Sequence, residues 1–293
     1  MTENMKNIFK SFEQILKLFV PPIISYIWRT IRPRKVKAHL IYAPDGWDTQ
    51  LGPNSEGWNS APIIESMECE FENFADHCRQ SGPLGFSHLR TEAKSGITLR
   101  IHNLNMIWAY VLALASRKKK TLSILDWGGG LGHLYLVAKS VIPEVTLDYH
   151  CKEMAAIVAT ARRINPSVTW YDNDDCLAKS FDLVLVSGSL QYMIDWREAL
   201  KNLAAATRNY ALLMQTPIVD KGSGFMAIQR MGDTELLHQQ FNKAEIIGQM
   251  NNCGFSLVRE FVDGSRLKVM NTEIGCELQG WLFERIKTVN SNE

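Results

Sequence analysis

The chain has 293 residues, of which 46% are apolar and 22% are charged, so it can bury a sizeable core and is not globally disordered. Its formal net charge of +1 gives no overall signature of nucleic-acid binding. Its six cysteines contain no close pair, which argues against a disulfide framework or a metal site and predicts free thiols in a reducing compartment.

The first predicted unit, residues 1–40, is basic and amphipathic, with eight Lys or Arg residues against two acids. Apolar residues recur at helical spacing over residues 6–20, a Pro-Pro pair ends that helix, and a basic cluster follows. Residues 6–37 either bind an anionic membrane surface or pack against their own domain or a second copy in a homodimer. No stretch is suited to span a bilayer and no cleavable signal is apparent, which predicts a cytoplasmic protein or one peripheral on the inner membrane face.

Residues 41–116 are predicted to form a helical and loop-rich cap on the substrate side. Turn residues fill the first part of this cap, a helical pattern follows over residues 63–79, and a long, mostly buried helix is predicted over residues 97–115. Trp47 and Trp58 lie among the turn residues. They either stack on a sugar face as part of a lid or fill a small core of the cap.

Residues 117–290 form the third predicted domain, in which strand patterns alternate with helical patterns. The predicted strands cover residues 121–127, 145–151, 168–172, 181–188 and 210–217, and the helices between them cover 132–141, 154–164 and 195–207. After a loop, a helix over 242–254 and strands over 255–262 and 277–286 follow. This order predicts an α/β fold with a mostly parallel sheet, helices on both faces and antiparallel closing strands.

The stretch LDWGGGLGH, residues 125–133, ends the first of these strands and opens a helix, where doubly wound sheets bind ligands. An acid is followed by glycines at every second place: Asp126, Gly128, Gly130 and Gly132. This spacing resembles the first motif of Rossmann-like methyltransferases that use S-adenosylmethionine. The resemblance implies that cofactor, with S-adenosylhomocysteine as its product, and leaves Gly129 outside the alternating set.

Two phosphate-binding patterns fail at this loop. The G-x-G-x-x-G pattern of dinucleotide sites requires a glycine where the frame from Gly128 reaches His133 and the frame from Gly130 reaches Tyr135. The P-loop pattern requires a lysine after its last glycine, but His133 follows Gly132. An NAD(P)-dependent reductase on a similar sheet is therefore the weaker alternative.

The second predicted strand should be followed by an acid that accepts the ribose hydroxyls. Asp148 comes 16 residues after Gly132 and Glu153 comes 21 after it, and the usual spacing of about 20 residues favours Glu153 without excluding Asp148. After the third strand, Asp172 and Asn173 are predicted to hold the adenine amino group, unless this acidic stretch is only a solvated turn.

Longer segments carry a more specific resemblance. ILDWGGGLGHLY, YHCKEMAAIVATAR and FDLVLVSGSLQYMIDW resemble a family of predicted S-adenosylmethionine-dependent methyltransferases found among bacterial cell-surface polysaccharide genes, and SGSLQY is the most characteristic piece. MQTPI, FMAIQRM and NCGFSLV match in order, so that the resemblance spans about residues 20–285.

The resemblance implies a Rossmann-like class I methyltransferase sheet and methylation of a cell-surface glycan or its precursor, with O-methylation as our prediction. It also favours Glu153 over Asp148. Relatives often carry a basic residue near Met214 and Gln215, which this chain lacks, so a charged substrate contact at that place is open.

The acceptor's hydroxyl would benefit from a general base. His133, directly after the glycine loop, and Tyr192, after the fourth strand, are the favoured candidates. His102, His150 and Asp195 are further ones.

SGSLQY and the segment after it supply four more predicted contacts. Ser187 and Gly188 are predicted to bind the cofactor, and Gln191 and Gln229 the acceptor. A non-catalytic partner protein that keeps the fold is a second alternative, against which the intact glycines and Glu153 argue.

Overall fold

A computed structural model describes residues 40–53, 55–88, 98–231 and 234–287. The description below concerns the compact unit of residues 39–293. The predicted amphipathic helix and the basic cluster up to Lys37 lie outside the described residues, so their membrane and dimer roles stay predictions.

The described strands alternate with helices in the C-terminal two thirds of the chain. In chain order the strands are β1 Leu40–Ala43, β2 Thr121–Trp127, β3 Thr146–Lys152, β4 Thr169–Tyr171, β5 Phe181–Ser187, β6 Thr207–Val219, β7 Phe225–Met231, β8 Thr234–Gln240, β9 Phe255–Leu267, β10 Val269–Met270 and β11 Cys276–Arg285. The helices are α1 Ala61–Arg79, α2 Leu99–Ala115, α3 His133–Val141, α4 Ala155–Ile164, α5 Trp196–Ala205 and α6 Lys243–Asn252. Short 3-10 turns cover Gly46–Asp48, Gly57–Asn59, Asp174–Ala178 and Leu190–Tyr192.

Seven strands form the central sheet in the order β4-β3-β2-β5-β6-β11-β9. Strands β2 to β6 run parallel, and β11 is antiparallel to both of its neighbours. The predicted α/β class, with a mostly parallel Rossmann-like sheet and antiparallel closing strands, is confirmed.

The central sheet is covered on both faces because its strands are apolar on both sides. All but the last residue of β5 are buried, as expected for a parallel strand between two helical layers. One apolar layer joins the sheet to α1, α2, α3 and α4, and the other joins it to α5 and α6. Trp108 of α2 is fully buried in the first layer and donates its indole N–H to the carbonyl of Leu134, at 3.0 Å.

A second sheet, in the order β10-β1-β7-β8, was not predicted. No regular structure was predicted for residues 225–240, which form the antiparallel hairpin of β7 and β8. β1 pairs with β7 although the two strands lie far apart in sequence, so the loop-rich cap is completed by C-terminal residues. The proposed boundaries at residues 40, 116 and 290 stay a prediction.

Helix ends in the described residues follow ordinary capping chemistry. Thr98 accepts a hydrogen bond from the backbone N–H of Ile101 at the start of α2, and Asp195 does the same for Glu198 in α5. Asp195 is therefore occupied as a helix cap. Within the described ranges, no helix is both long and apolar enough to cross a membrane.

Candidate functional site

A cavity of about 770 Å³ lies at the carboxyl ends of β2, β3, β5 and β6, under α1, α2 and the second sheet. Its position is the one that doubly wound sheets use for ligands, and its volume is within the range of small-molecule sites. Across the residues that the structure describes, no cluster of His, Cys, Asp and Glu is suited to hold a metal ion.

The glycine loop lines this cavity. Gly128, Gly130 and Gly132 have φ angles of +79°, +60° and +79°, a left-handed conformation that favours glycine and explains the alternating spacing. Gly129 is required for a different reason, since a Cβ there would lie 2.4 Å from Oδ2 of Asp126. Gly129 therefore lies outside the left-handed alternating set, as predicted, and is needed for the space that the Asp126 carboxylate occupies.

Asp126 is fully buried beside the loop and lines the cavity. Its Oδ2 accepts a hydrogen bond from the Tyr149 hydroxyl at 2.8 Å, and its Oδ1 has no hydrogen-bond partner in the described part of the chain. Burial raises the pKa of Asp126 to about 7, opposed by the Tyr149 hydrogen bond and helped by the nearby Glu153. An unpartnered buried acid oxygen suits a cationic donor, such as the amino group of S-adenosylmethionine.

Glu153 connects the end of β3 to the glycine loop. Its two carboxylate oxygens accept backbone N–H groups, from Gly130 at 3.1 Å and from Met154 at 2.8 Å, and it lines the cavity. Asp148 has a 55% exposed side chain, pairs with His150 at 2.9 Å and does not line the cavity. The geometry therefore favours Glu153 as the ribose ligand, as both the spacing and the resemblance did.

We expect Glu153→Gln to weaken the binding of S-adenosylhomocysteine by about 10- to 100-fold, because charge-assisted hydrogen bonds to the ribose would be lost. The matched control Asp148→Asn removes an acid of the same strand region that lies outside the cavity, and it should leave the dissociation constant within about twofold. Titration calorimetry measures both. Equal losses in the two variants would contradict the assignment.

Asp172 and Asn173, which were predicted to hold the adenine amino group, do not line the cavity. Both are exposed outside the cavity, and Asn173 instead accepts the backbone N–H of Asp175 at 3.0 Å to start the 3-10 turn. The acidic stretch is thus a capped turn, and the apolar side chains of Met154 and Ile157 line the cavity in the neighbourhood of Glu153.

Several predicted residues come together in the part of the cavity lining around Tyr192. Tyr192 donates its hydroxyl to Oε1 of Gln229 at 2.7 Å, and the Trp58 ring meets it edge-to-face with centroids 6.1 Å apart. Gln191 is 5% exposed, donates to the carbonyl of Gly188 at 2.8 Å and leaves its Oε1 without a partner within the described ranges. These side chains give this part of the cavity neutral hydrogen-bonding groups and an aromatic surface.

His238 of β8 also lines the cavity. It was not among the predicted site residues, because no strand was predicted there. Its ring meets Tyr192 edge-to-face with centroids 5.5 Å apart, and burial lowers its pKa to about 3. Trp58 lines the cavity and Trp47 does not, which separates the two tryptophans that the sequence left equivalent.

The two favoured bases differ in their environment. Burial raises the pKa of Tyr192 to about 12, so its phenol stays protonated at neutral pH and binds rather than abstracts a proton. His133 stacks on His88 with ring centroids 3.8 Å apart, and burial holds its pKa well below the usual value. It lines the cavity as a neutral imidazole. His102 and His150 do not line the cavity.

Residues 101–260 match the family model described as a methyltransferase domain. The chain belongs to this family of methyltransferase domains. Membership confirms the predicted enzyme class and supports S-adenosylmethionine as the cofactor, which the unpartnered Asp126 oxygen and the Glu153 carboxylate also fit.

Several solved structures are similar to this methyltransferase. They include magnesium protoporphyrin IX methyltransferase (ChlM) from Synechocystis PCC 6803, 13% identical, covering 78% of this chain and 93% of that chain with a TM-score of 0.45. They also include CalS10, an amino pentose methyltransferase from Micromonospora echinaspora, 16% identical, covering 63% of this chain and 91% of that chain with a TM-score of 0.42. No match was found among curated proteins.

Proposed function

We propose that this methyltransferase transfers the methyl group of S-adenosylmethionine to a hydroxyl of a sugar-containing acceptor, such as a cell-surface glycan or its precursor. The observation that carries the proposal is one continuous cavity. Its lining includes the acids and the bare backbone that suit the cofactor. It also includes Trp58, Tyr192 and Gln229, and sugar rings are bound by such aromatic faces and amide groups.

When bound, S-adenosylmethionine supplies a methyl group that its sulfonium already activates, so the protein's part is alignment. Asp126 and Glu153 would hold the two polar parts of the cofactor from neighbouring strands. Trp58, Tyr192 and Gln229 would bind and orient the acceptor in the same cavity. His133, the predicted general base, has an Nδ1 without a partner among the described residues and can accept a hydrogen bond from the acceptor hydroxyl, while burial disfavours its full protonation.

Transfer of label from methyl-labelled S-adenosylmethionine to a panel of methyl glycosides and to bacterial surface polysaccharide tests this proposal. We expect an O-methyl ether on one sugar of the panel. Trp58→Ala should raise the KM for that acceptor by about 10-fold or more, because a buried aromatic contact is lost. Trp47→Ala is the matched control and should not change it.

Two results would contradict the proposed acceptor. One is label found only on nitrogen, carbon or sulfur acceptors. The other is no transfer to any sugar by a protein that still binds S-adenosylhomocysteine. Membrane association through residues 6–37, a homodimer and a cytoplasmic or peripheral location are further proposals, and they rest on the sequence alone.

A further inference from the structure

Strand β6 carries a β-bulge at the edge of the cavity. Met214 and Gln215 together oppose the single residue Gly280 of β11. Gln215 has a φ of +52°, a left-handed conformation that costs free energy in any residue other than glycine. Bulges of this kind re-aim side chains beside functional sites, and the Gln215 side chain lines the cavity.

An ion pair holds Gln215 from the side away from β5. The Arg100 guanidinium of α2 donates two hydrogen bonds to the carboxylate of Asp263 in β9, at 2.8 and 2.9 Å, and a third to Oε1 of Gln215 at 2.9 Å. The Asp263 side chain is only 2% exposed and does not line the cavity. Arg100 thus places a basic group beside Gln215, whose neighbours in the sequence of β6 carry none.

The hydrogen bonds that link Arg100, Gln215 and Ser187 run in one fixed direction. A guanidinium only donates, so the oxygen of the Gln215 amide must face Arg100 and its nitrogen must face the other way. That nitrogen donates to Oγ of Ser187 at 3.0 Å. Ser187 therefore accepts from within the protein, and its own hydroxyl proton is available to a ligand oxygen in the cavity that it lines.

The order of strands in the central sheet indicates which oxygen of the cofactor would accept the Ser187 hydroxyl proton. β5 lies next to β2 on the side away from β3, and the pairing of Trp127 with Val186 places Ser187 beside Gly128. Glu153 at the end of β3 suits the ribose, and Asp126 at the end of β2 suits the amino group. In the methionine part of the cofactor, the carboxylate is bonded to the carbon that carries this amino group.

We propose that Ser187, oriented by Gln215, Arg100 and Asp263, donates a hydrogen bond to the carboxylate of the methionine part of the cofactor. The proposal rests on S-adenosylmethionine as the cofactor and not on the identity of the acceptor. Ser187 is the binding residue. Gln215 and Asp263 act through it and are positioning residues.

Calorimetry with S-adenosylhomocysteine and with its decarboxylated analogue tests the proposal directly. Ser187→Ala should weaken binding of the first ligand by about 10-fold or more and leave the second within about twofold, because only the first has the carboxylate. Asp263→Asn should show the same selectivity with a smaller loss. Gln215→Gly removes the amide while its backbone suits a positive φ, so this variant should fold well and lose affinity for the first ligand alone.

Two outcomes would overturn the proposal. Equal weakening of both ligands in Ser187→Ala and Gln215→Gly would mean that the chain of hydrogen bonds only maintains the shape of the cavity. Unchanged binding of both ligands would mean that the carboxylate is held elsewhere, for example by the N-terminus of α3. Failure of the wild-type protein to bind S-adenosylhomocysteine is a separate result, which would contradict the cofactor itself.

Discussion

Replacing Asp126 with Asn is expected to weaken S-adenosylhomocysteine binding by about 100-fold or more and yet to stabilise the ligand-free protein. The carboxylate of Asp126 is fully buried, and its Oδ1 has no hydrogen-bond partner among the described residues. Its negative charge is useful only when a cationic ligand is present. In the ligand-free protein only the Tyr149 hydrogen bond offsets the desolvation of this charge, and the remainder is a direct cost to folding.

The raised pKa of Asp126 makes both the free energy of unfolding and the cofactor affinity depend on pH. The folded value is about 7, above the ordinary value of 3.8, so the buried carboxylate lowers the free energy of unfolding increasingly as the pH rises from about 4 to 7. Asp126→Asn should therefore raise this free energy at pH 8, by on the order of 1–4 kcal/mol, with the gain lost in acid. Cofactor affinity of the wild-type protein should fall as the pH drops below about 7.

A second buried carboxylate provides the matched control. Burial alone would raise the pKa of Asp182, but hydrogen bonds and ion pairs with Lys119 and Arg208 lower it to about 2. Its charge therefore stabilises the fold above about pH 4, and this contribution is lost as the pH falls towards 2. Asp182→Asn should destabilise the protein at pH 8 in urea unfolding. Destabilisation by Asp126→Asn as well would contradict the account of Asp126.

Gly129→Ala is expected to lower the free energy of unfolding by about 1–3 kcal/mol and to impair cofactor binding. The new Cβ would lie 2.4 Å from Oδ2 of Asp126 and 2.7 Å from Sγ of Cys151, both of which belong to fully buried side chains. Neither neighbour can move away without disturbing β2 or β3. The displaced Asp126 carboxylate would then no longer face the amino group of the cofactor.

Gly248→Ala is the control for this substitution. Gly248 lies inside α6, has no atom within 4 Å of an added Cβ, and should gain up to about 1 kcal/mol from alanine's helix propensity. Thermal unfolding of both variants, followed by titration with S-adenosylhomocysteine, measures the difference. A Gly129→Ala protein with wild-type stability and affinity would show that the loop tolerates a side chain there.

The residues that suit the cofactor could be predicted from sequence because they form patterns within short stretches of the chain. The alternation of strands and helices gives the parallel sheet, and the spacing of Asp126 and the glycines identifies the loop. Glu153 follows from its distance along the chain. Asp172 and Asn173 were misplaced because the short β4 leads into a turn that Asn173 caps, and this turn carries both side chains away from the cavity.

Trp58, Tyr192 and Gln229 were candidates from the sequence, but their contacts with one another could not be predicted, because these residues come from distant parts of the chain. Trp58 precedes α1, Tyr192 follows β5, and Gln229 and His238 lie on a hairpin that was not predicted. The contact of Arg100 with Asp263 joins residues 163 positions apart. Periodicity carries no information about such pairings, and the left-handed Gln215 follows no sequence rule.

The most direct test of the central claim is a calorimetric titration of the wild-type protein with S-adenosylhomocysteine and, separately, with NADH. We expect one S-adenosylhomocysteine site for each chain, weakened by about 100-fold or more in Asp126→Asn and by about 10- to 100-fold in Glu153→Gln, and no binding of NADH. Tight binding of NADH with no binding of S-adenosylhomocysteine, by a protein shown to be folded, would contradict it.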